Sequence, residues 1–434
     1  MKAILLSIGD ELASGLTLNT NSAWLAEQLA TLGIQALSHI TVPDHLESIA
    51  AAIRQSCEQL ELDASRTSHT DLLLITGGLG PTEDDLTREG LADALQQQLV
   101  EDPDAMVQIE RFFRSINRAM SPSNRRQAMR PHEASIIENT NGTAPGLRAK
   151  KNHTEIFVMP GVPREMREMF SKSVLPAISE IVQESAPGIV TQVTKINTFG
   201  MGESALGEKI KDLMTRRPET SPPFASVGTT VHDGIVSVRI YATGTREQAE
   251  KLTADIRAEL HSRLGALIFS EEDEALETTV GKLLLESRYT IATAESCTGG
   301  LIATLLTNMP GSSGYFLRGW VTYTNTAKHE DLGVPTQIIE AHGAVSEPTA
   351  RAMAAGAKHA AGSSFALATT GIAGPTGGSE EKPVGTVWIA LASPTGVEAR
   401  KFIFPGTRAQ IRLRAAQMGL AFLRWKLMGI APPI

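Results

Sequence analysis

Apolar runs and helical periodicity alternate along the first third of the chain. Apolar runs at residues 3–8 and 71–76 predict buried strands, because a parallel sheet is covered on both faces, and residues 34–42 predict a further strand. Between these runs, apolar residues recur with helical spacing over 23–32 and 45–60. Strands that alternate with helices in this way indicate a doubly wound α/β sheet.

The pattern changes at about residue 188 and again near residue 276. Between these positions, alternating strands and two helices predict a small α+β module with a hairpin turn at Asp233-Gly234. The strands are predicted at 190–199, 224–231 and 235–241, and the helices at 202–214 and 246–264. Residues 268–274 are rich in acids and predict a linker, after which a second α/β region begins.

Residues 293–300, Thr-Ala-Glu-Ser-Cys-Thr-Gly-Gly, separate a predicted strand from an apolar helical run. A serine at such a turn, here Ser296, lies beside backbone N–H groups at the positive end of a helix dipole. Those groups could hold a developing oxyanion, which makes Ser296 a candidate nucleophile. Two alternatives stay open: Ser296 or Thr298 caps the helix, or Cys297 is the nucleophile.

A base for the serine is predicted in residues 321–328, which resemble a strand end followed by a helix start. This segment holds Tyr323 and Lys328, with Asn325 as a candidate N-cap. A desolvated lysine can take the proton of a serine, so Lys328 is the candidate base.

A glycine-rich loop at 368–378 follows a third apolar strand, and such loops let backbone amides approach a phosphate or ribose closely. The last predicted helix, 407–428, carries Arg408, Arg412 and Arg414 in its first turns. Cations at a helix start oppose the dipole, so some of these arginines are expected to neutralise a bound anion. The alternative is a surface ladder of arginines.

The motifs of the last third resemble the C-terminal domain of the CinA family, which is a nicotinamide mononucleotide (NMN) deamidase. The resemblance lies in residues 293–300, 321–328, 342–348 and 370–386. It implies that Ser296, Tyr323 and Lys328 are catalytic, in an acyl-transfer reaction that needs no cofactor. The substrate-binding residues that it implies are Cys297, Thr298, Gly299, Gly300, Thr370, Gly371, Gly374, Gly377, Gly378 and Arg412.

In the N-terminal region, ligands are expected at the carboxyl ends of the strands. Gly9-Asp10-Glu11 and the glycine-rich loop 77–85 both follow predicted strands. The loop can surround phosphates, and the carboxylates of Asp10, Glu11, Asp84 and Asp85 could hold a hard cation such as Mg²⁺. The alternative is that these acids are solvated residues of helix first turns, where the dipole favours them.

This region resembles the molybdopterin-binding-like domain that opens CinA proteins. The matching segments are 9–11, 21–22, 76–87, 142–146 and 159–166. The resemblance implies an ADP-ribose pyrophosphatase that depends on a divalent metal, Mg²⁺ or Co²⁺. The ligand-site residues that it implies are Gly9, Asp10, Glu11, Asn21, Gly77, Gly78, Gly80 and Thr82, with Asp84 and Asp85 as metal ligands.

The middle module resembles the KH-like domain of CinA proteins. RNA recognition by a KH domain needs a GXXG loop with basic flanks. Gly200-Met-Gly202-Glu203 is not that motif, so the module is predicted to be a spacer or dimer element. Three domains follow: molybdopterin-binding-like at 1–175, KH-like α+β at 176–265, and α/β deamidase at 272–434.

Composition narrows the function further. The 434 residues carry a net charge of −8, which argues against a broad nucleic-acid-binding face. Two distant cysteines, Cys57 and Cys297, give neither a disulfide framework nor zinc-ligand spacing and suit a reducing cytoplasm. The start lacks a signal-peptide pattern, and no apolar run reaches membrane-spanning length.

Composition suits a cytoplasmic protein, and the resemblance implies a homodimeric enzyme of pyridine nucleotide recycling that acts on NMN and ADP-ribose. The alternative is a nucleotide- or pterin-binding protein of a competence or DNA-damage response, with no catalytic role.

Overall fold

The computed structural model describes residues 1–62, 70–216 and 222–433. The chain divides into two compact units, each of which is discontinuous in sequence. The first comprises Met1–Val193, Glu219–Ala225 and Tyr241–Leu252, and the second comprises Thr194–Pro218, Ser226–Ile240 and Thr253–Ile434.

The N-terminal region is a mostly parallel sheet with helices on both faces. Its strands are β1 (Lys2–Ile8), β2 (Gln35–Val42), β3 (Asp71–Thr76), β4 (Leu99–Glu101), β5 (Met129–Pro131), β6 (Ser135–Ile137), β7 (Gly146–Lys151) and β8 (Thr154–Met159). Its helices are α1 (Asp10–Ala13), α2 (Thr20–Thr31), α3 (Leu46–Leu62), α4 (Thr87–Leu95), α5 (Pro103–Ser115), α6 (Pro163–Met169) and α7 (Leu175–Ser185). The main sheet has the order β2-β1-β3-β8-β7-β6, and β2, β1, β3 and β8 are parallel neighbours.

Successive residues of the central strands face two different hydrophobic cores. In β1, Ile4 and Leu6 face one core and Ala3 and Leu5 face the other. The period of two along a strand sends successive side chains to opposite faces, so a strand covered on both sides is apolar throughout. The uninterrupted apolar runs of the sequence have this cause, and the doubly wound α/β prediction is confirmed.

The middle module is a four-stranded sheet with two helices. Its elements are β9 (Val190–Thr198), α8 (Glu203–Thr215), β10 (Phe224–His232), β11 (Ile235–Gly244), α9 (Arg246–Leu264) and β12 (Ile268–Ser270). The sheet order is β10-β11-β9-β12. Asp233 and Gly234 both have positive φ between β10 and β11, which confirms the predicted hairpin turn.

The C-terminal region is a second α/β sheet. Its helices are α10 (Leu276–Ser287), α11 (Leu301–Thr307), α12 (Asn325–Leu332), α13 (Thr336–His342), α14 (Glu347–Ala361) and α15 (Arg408–Leu427). Its strands are β13 (Ile291–Glu295), β14 (Phe316–Val321), β15 (Phe365–Gly371), β16 (Thr386–Ser393) and β17 (Gly396–Ile403). The order is β14-β13-β15-β16-β17, with the first three parallel and the last two antiparallel.

The two faces of this sheet differ in the size of their side chains. One face is built mainly from alanines of β13, β15 and β16, which pack with α14. The opposite face carries larger residues such as Leu367 and Ile389 and packs with α15.

The predicted acidic linker at 268–274 is wrong in its first three residues. Ile268–Ser270 is a buried strand that pairs antiparallel with β9. Phe269 shares a core with Phe199 of the middle module and Trp425 of α15, and the indole Nε1 of Trp425 donates a hydrogen bond to the carbonyl of Ala266 at 2.9 Å. The acids that follow the strand concealed it, because a three-residue apolar run carries little periodicity.

Candidate active site

Three neighbouring parallel strands of the C-terminal sheet bring the predicted catalytic segments to one edge. Glu295, the last residue of β13, is paired with Val321 of β14 on one side and Thr369 of β15 on the other. Ser296 is the next residue after Glu295. It therefore lies between the segment that follows β14 and the segment that follows β15. Such a switch point at the carboxyl ends of the strands is where α/β sheets bind ligands.

Ser296 and Lys328 form a buried pair at this edge. The Nζ of Lys328 lies 3.2 Å from the Oγ of Ser296 and donates to the carbonyl of Thr322 at 2.9 Å. The exposed fractions are 1% for Lys328 and 9% for Ser296. Burial lowers the pKa of Lys328 below its usual range, because the charged ammonium is poorly solvated there. A neutral amine at this position can accept the serine proton.

Lys328 owes its position to the start of α12. The side chain of Thr324 accepts a hydrogen bond from the amide of Ala327, so Thr324, rather than the predicted Asn325, is the N-cap. The carbonyls of Tyr323 and Thr324 lie 3.4 and 3.5 Å from Nζ. These carbonyls fix Nζ of Lys328 beside the serine.

Cys297 is poorly suited to be the nucleophile. Its side chain is 4% exposed and belongs to the core that contains Ile302 and Ile389. Burial raises the pKa of the thiol to about 12. Since the thiolate is the reactive form, the geometry favours Ser296.

Glu295 occupies the N-terminus of α11. Its fully buried carboxylate accepts hydrogen bonds from the amides of Ile302 and Ala303, at 3.0 and 2.9 Å. The N-cap position is Gly300, which has no side-chain cap, so the alternative in which Ser296 or Thr298 caps this helix is wrong. The positive end of the helix is therefore used by a carboxylate from the protein itself.

An oxyanion would have to bind the turn before α11 instead. The amide of Gly299 donates to the carbonyl of Ser296 at 3.1 Å. Within the described ranges, no backbone carbonyl accepts a hydrogen bond from the amides of Cys297, Thr298 and Gly300, although the first two amides also face the sulfur of Cys297. These three N–H groups are the available donors next to the serine.

The side chain of Tyr323 is hydrogen-bonded to an arginine of α15. Its side chain is 55% exposed, and its hydroxyl accepts a hydrogen bond from Nη2 of Arg408 at 2.6 Å. The other arm of Arg408 donates to the carbonyl of Gly374 at 2.7 Å. Arg408, one of the three arginines predicted as candidates for anion binding, thus joins the segment after β14 to the glycine-rich loop after β15.

Arg412 braces the nucleophile turn. Its Nε and Nη2 donate to the carbonyl of Thr298, at 3.2 and 2.8 Å. An added Cβ at Gly299 would lie 3.3 Å from Nη2, so the turn and the guanidinium are in close contact. The predicted anion-binding role of Arg412 stays a prediction, alongside this observed contact.

The glycine-rich loop has backbone conformations that side chains would disturb. Gly374 and Gly377 have φ values of +76° and +91°. A Cβ on Gly378 would lie 2.8 Å from the amide nitrogen of Val384. The buried hydroxyl of Thr370 is already committed, because it donates to the carbonyl of Ala344 at 2.7 Å. Gly371, at the end of β15, is in contact with β16.

A separate cavity of about 590 Å³ lies at the carboxyl ends of β1, β3 and β8 in the N-terminal region. The predicted residues that line it are Gly9, Glu11, Asn21, Gly77, Gly78, Gly80, Asp84 and Asp85. Asp10 and Thr82 do not line it. Asp44, two residues beyond β2, does line it and was missed, although it also follows a strand end.

The carboxylates of this cavity have different roles. Asp85 accepts hydrogen bonds from the amides of Gly80 and Thr82 at 2.7 and 2.8 Å, and from the Thr82 hydroxyl. Burial and the repulsion of nearby carboxylates raise the pKa of Asp44. In the part of the chain that the structure describes, there is no cluster of three or more metal-ligating side chains. Any metal bound here would need further ligands from water or the substrate.

The described helices include none long and apolar enough to cross a membrane.

Three family models match the chain. The "CinA C-terminal domain" matches residues 273–427, the "Probable molybdopterin binding domain" matches residues 4–180, and the "Damage-inducible protein CinA KH domain" matches residues 194–270. These matches confirm the resemblance stated from the motifs and the three-part fold class.

Relatives of full length are similar to the chain. A CinA-like protein from Desulfosudis oleivorans is 40% identical over 433 residues, 99% of this chain and 100% of that protein. A CinA-like protein from Geobacter metallireducens is 41% identical over 429 residues, again 99% and 100%. The crystal structure of a competence/damage inducible protein from Agrobacterium tumefaciens is 42% identical and covers 36% of this chain and 97% of that chain, at a TM-score of 0.34.

Proposed function

Because the chain belongs to the CinA family, we propose that its C-terminal domain hydrolyses the carboxamide of NMN to nicotinic acid mononucleotide and ammonia. The observation that carries this proposal is the buried pair of Ser296 and Lys328, 3.2 Å apart. A serine needs a base to become a nucleophile, and a lysine whose pKa is lowered by burial is such a base.

The reaction proceeds by acyl transfer. As the Oγ of Ser296 forms a bond with the carboxamide carbon, its proton moves to Nζ of Lys328. The amides of Cys297, Thr298 and Gly300 donate to the oxygen that becomes negative. The C–N bond then breaks as Tyr323 gives a proton to the leaving ammonia. Water attacks the ester and returns a proton to Tyr323, and Ser296 takes back its proton from Lys328 as the acid is released.

Arg412 and Tyr323 are proposed to support this chemistry in different ways. Arg412 holds the carbonyl of Thr298, which belongs to the same turn as the proposed oxyanion donors. The hydroxyl of Tyr323 accepts a hydrogen bond from Arg408, which leaves its proton free to be donated. Tyr323 is thus the proposed proton donor to the leaving ammonia, and the glycine-rich loop is the proposed site for ribose and phosphate.

Ammonia release tests the proposal. Purified protein is incubated with NMN, and ammonia and nicotinic acid mononucleotide are quantified together, with the Ser296→Ala variant as the control. Equal amounts of both products from the unchanged protein, and none from the variant, support the deamidase. Binding of NMN or a pterin without ammonia release would instead support the alternative, a binding protein of the competence or damage response.

A second activity is proposed for the N-terminal cavity, whose glycine-rich loop and carboxylates suit a pyrophosphate. Glu11, Asp44 and Asp84 line it, and one or two carboxylates together with substrate phosphates are the usual ligands of Mg²⁺. For Asp85 to be a metal ligand as well, its carboxylate would have to give up its hydrogen bonds to Gly80 and Thr82. When bound, Mg²⁺ or Co²⁺ would offset phosphate charge during hydrolysis of ADP-ribose. Formation of AMP from ADP-ribose, with and without EDTA, tests this activity.

A further inference from the structure

Thr369 of β15 contacts the nucleophile turn, residues 296–300, at two points. Its carbonyl accepts a hydrogen bond from the amide of Ser296 at 2.9 Å. Its hydroxyl lies 2.7 Å from the hydroxyl of Thr298, which is a hydrogen-bond distance. One residue of the neighbouring strand therefore holds both the nucleophile and the residue two positions after it.

The position of Thr369 in the sheet does not itself require a hydroxyl group. Side chains alternate along a strand, so Thr369 is on the face of β15 that also carries Phe365 and Leu367, which belong to a hydrophobic core. Thr369 is 0% exposed, and a buried hydroxyl is unfavourable unless it is hydrogen-bonded. Among the described residues, the partner of this hydroxyl is Thr298. Packing alone would favour an apolar residue here, so the hydroxyl indicates a role in the contact with the turn.

The nucleophile turn needs such contacts because its own backbone is permissive. Gly299 and Gly300 have φ values of +62° and +90°, and glycine restricts the backbone less than any other residue. Thr298 is held instead by its neighbours. Its carbonyl accepts hydrogen bonds from Arg412 of α15, and its hydroxyl is paired with Thr369. With both groups held, Thr298 cannot rotate about its backbone bonds without breaking one of these contacts.

The next residue of β15, Thr370, contacts a different segment. It lies on the opposite face of the strand, and its hydroxyl donates to the carbonyl of Ala344 at 2.7 Å. The two consecutive threonines thus hold two different segments, and the contact with the nucleophile turn belongs to Thr369.

We propose that Thr369 is a positioning residue of the deamidase site. It fixes the turn, so that the amides proposed as oxyanion donors keep their direction while the carboxamide oxygen becomes negative. Since Thr369 is fully buried, it acts through the turn and does not touch the substrate. The inference rests on the proposed deamidation of NMN, and it adds a residue that the sequence motifs did not assign.

The first test compares Thr369→Val, which removes the hydroxyl, with Thr369→Ser, which keeps it and is the matched control. In Thr369→Val, the kcat of NMN deamidation by the full-length protein is expected to fall about 10- to 100-fold, because small displacements of catalytic groups lower the rate steeply. KM is expected to stay within about threefold, because the buried side chain does not bind the substrate. The pH dependence is expected not to change, because other carbonyls hold Lys328. Thr369→Ser is expected to keep kcat within about threefold of the unchanged protein, because the hydrogen bond remains.

A double-mutant cycle with Thr298 tests the hydrogen bond itself. Thr298→Val is expected to lower kcat as well. The combined variant Thr298→Val/Thr369→Val is expected to be no slower than the slower single variant, since both substitutions remove the same interaction. Losses in kcat that multiply in the combined variant would overturn the inference. A lower melting temperature of Thr369→Val with an unchanged kcat would overturn it as well, because that result indicates a purely structural role.

Labelling of Ser296 by a fluorophosphonate separates this inference from the proposed function. The reagent reacts with an activated serine and does not require NMN, and mass spectrometry measures the labelling rate. Slower labelling of Thr369→Val than of Thr369→Ser supports the inference, and equal rates would overturn it. If the unchanged protein is labelled at Ser296 but releases no ammonia from NMN, the proposed function fails, and the labelling rates still test the role of Thr369. An unchanged protein that is neither labelled nor active would overturn both.

Discussion

Replacing Ser296 with alanine is expected to abolish NMN deamidation, whereas Cys297→Ala is expected to leave most of it. The two side chains are adjacent in sequence, but they lie in different surroundings. The Oγ of Ser296 is beside the amine of Lys328, while the thiol of Cys297 is in an apolar core. Comparing the two variants therefore tests which of these neighbouring side chains is the nucleophile, because both mark the same place in the chain.

The pKa of the Cys297 thiol shows how little reactive thiolate this residue could supply. With a pKa of about 12, the thiolate fraction at pH 8 is about 10⁻⁴, whereas an ordinary cysteine with a pKa of about 8.5 is about one quarter ionised. Loss of a serine nucleophile is expected to lower the deamidation rate by about 10⁴- to 10⁶-fold. The remaining rate would come from the oxyanion donors. Cys297→Ala is expected to stay within about threefold of the original rate and to lose about 1 kcal/mol of stability through the small cavity that it leaves.

Ammonia release at pH 8 measures both variants, and circular dichroism confirms that each is folded. Alkylation by iodoacetamide provides an independent measurement, because it reports the thiolate directly. Cys297 is expected to react about 10³-fold more slowly than a free cysteine. An active Ser296→Ala variant together with an inactive, folded Cys297→Ala variant would refute the serine mechanism.

Three further predictions concern the base of the deamidase site, the metal of the N-terminal site and the stability of the C-terminal domain. Burial lowers the pKa of Lys328, so the fraction of neutral base and the deamidation rate should increase as pH rises through that lowered pKa. Lys328→Arg should be inactive, because arginine stays charged, and a near-normal rate in this variant would exclude Lys328 as the base. EDTA and Asp84→Ala should each stop ADP-ribose cleavage and leave NMN deamidation unchanged; loss of deamidation in EDTA would indicate a metal in the C-terminal site. A fragment that begins at Leu276 should deamidate NMN but melt at a lower temperature than one that begins at Gly188, because Trp425 loses its contacts with the middle module; equal melting temperatures would contradict this.

The sequence predicted the fold well because its strands are covered on both faces. The run at 71–76 coincides with β3, and the helix predicted at 246–264 coincides with α9. The pair of Ser296 and Lys328 was also predictable, since each follows the end of a strand and parallel strands end at a common edge.

Contacts that depend on the direction of a side chain could not be predicted from the spacing of residues in the sequence. The carboxylate of Glu295 turns back to cap α11, and the hydroxyl of Tyr323 turns toward Arg408. Asp44 joins the cavity carboxylates only because β2 lies next to β1 in the sheet. The role of Ile268–Ser270 depends on a partner, α15, more than 130 residues later in the chain.

The joint core of the middle module and α15 has a consequence for synthesis on the ribosome. Phe199 is made 226 residues before Trp425, with which it shares a core. At about 5–20 residues per second, this separation is about 10 to 45 seconds of translation. The N-terminal sheet has its strands by then, while Phe199 and Phe269 still lack the part of their core that α15 supplies. The nascent chain thus carries an exposed apolar surface until its last helix emerges, and this interval is when a chaperone would be needed most.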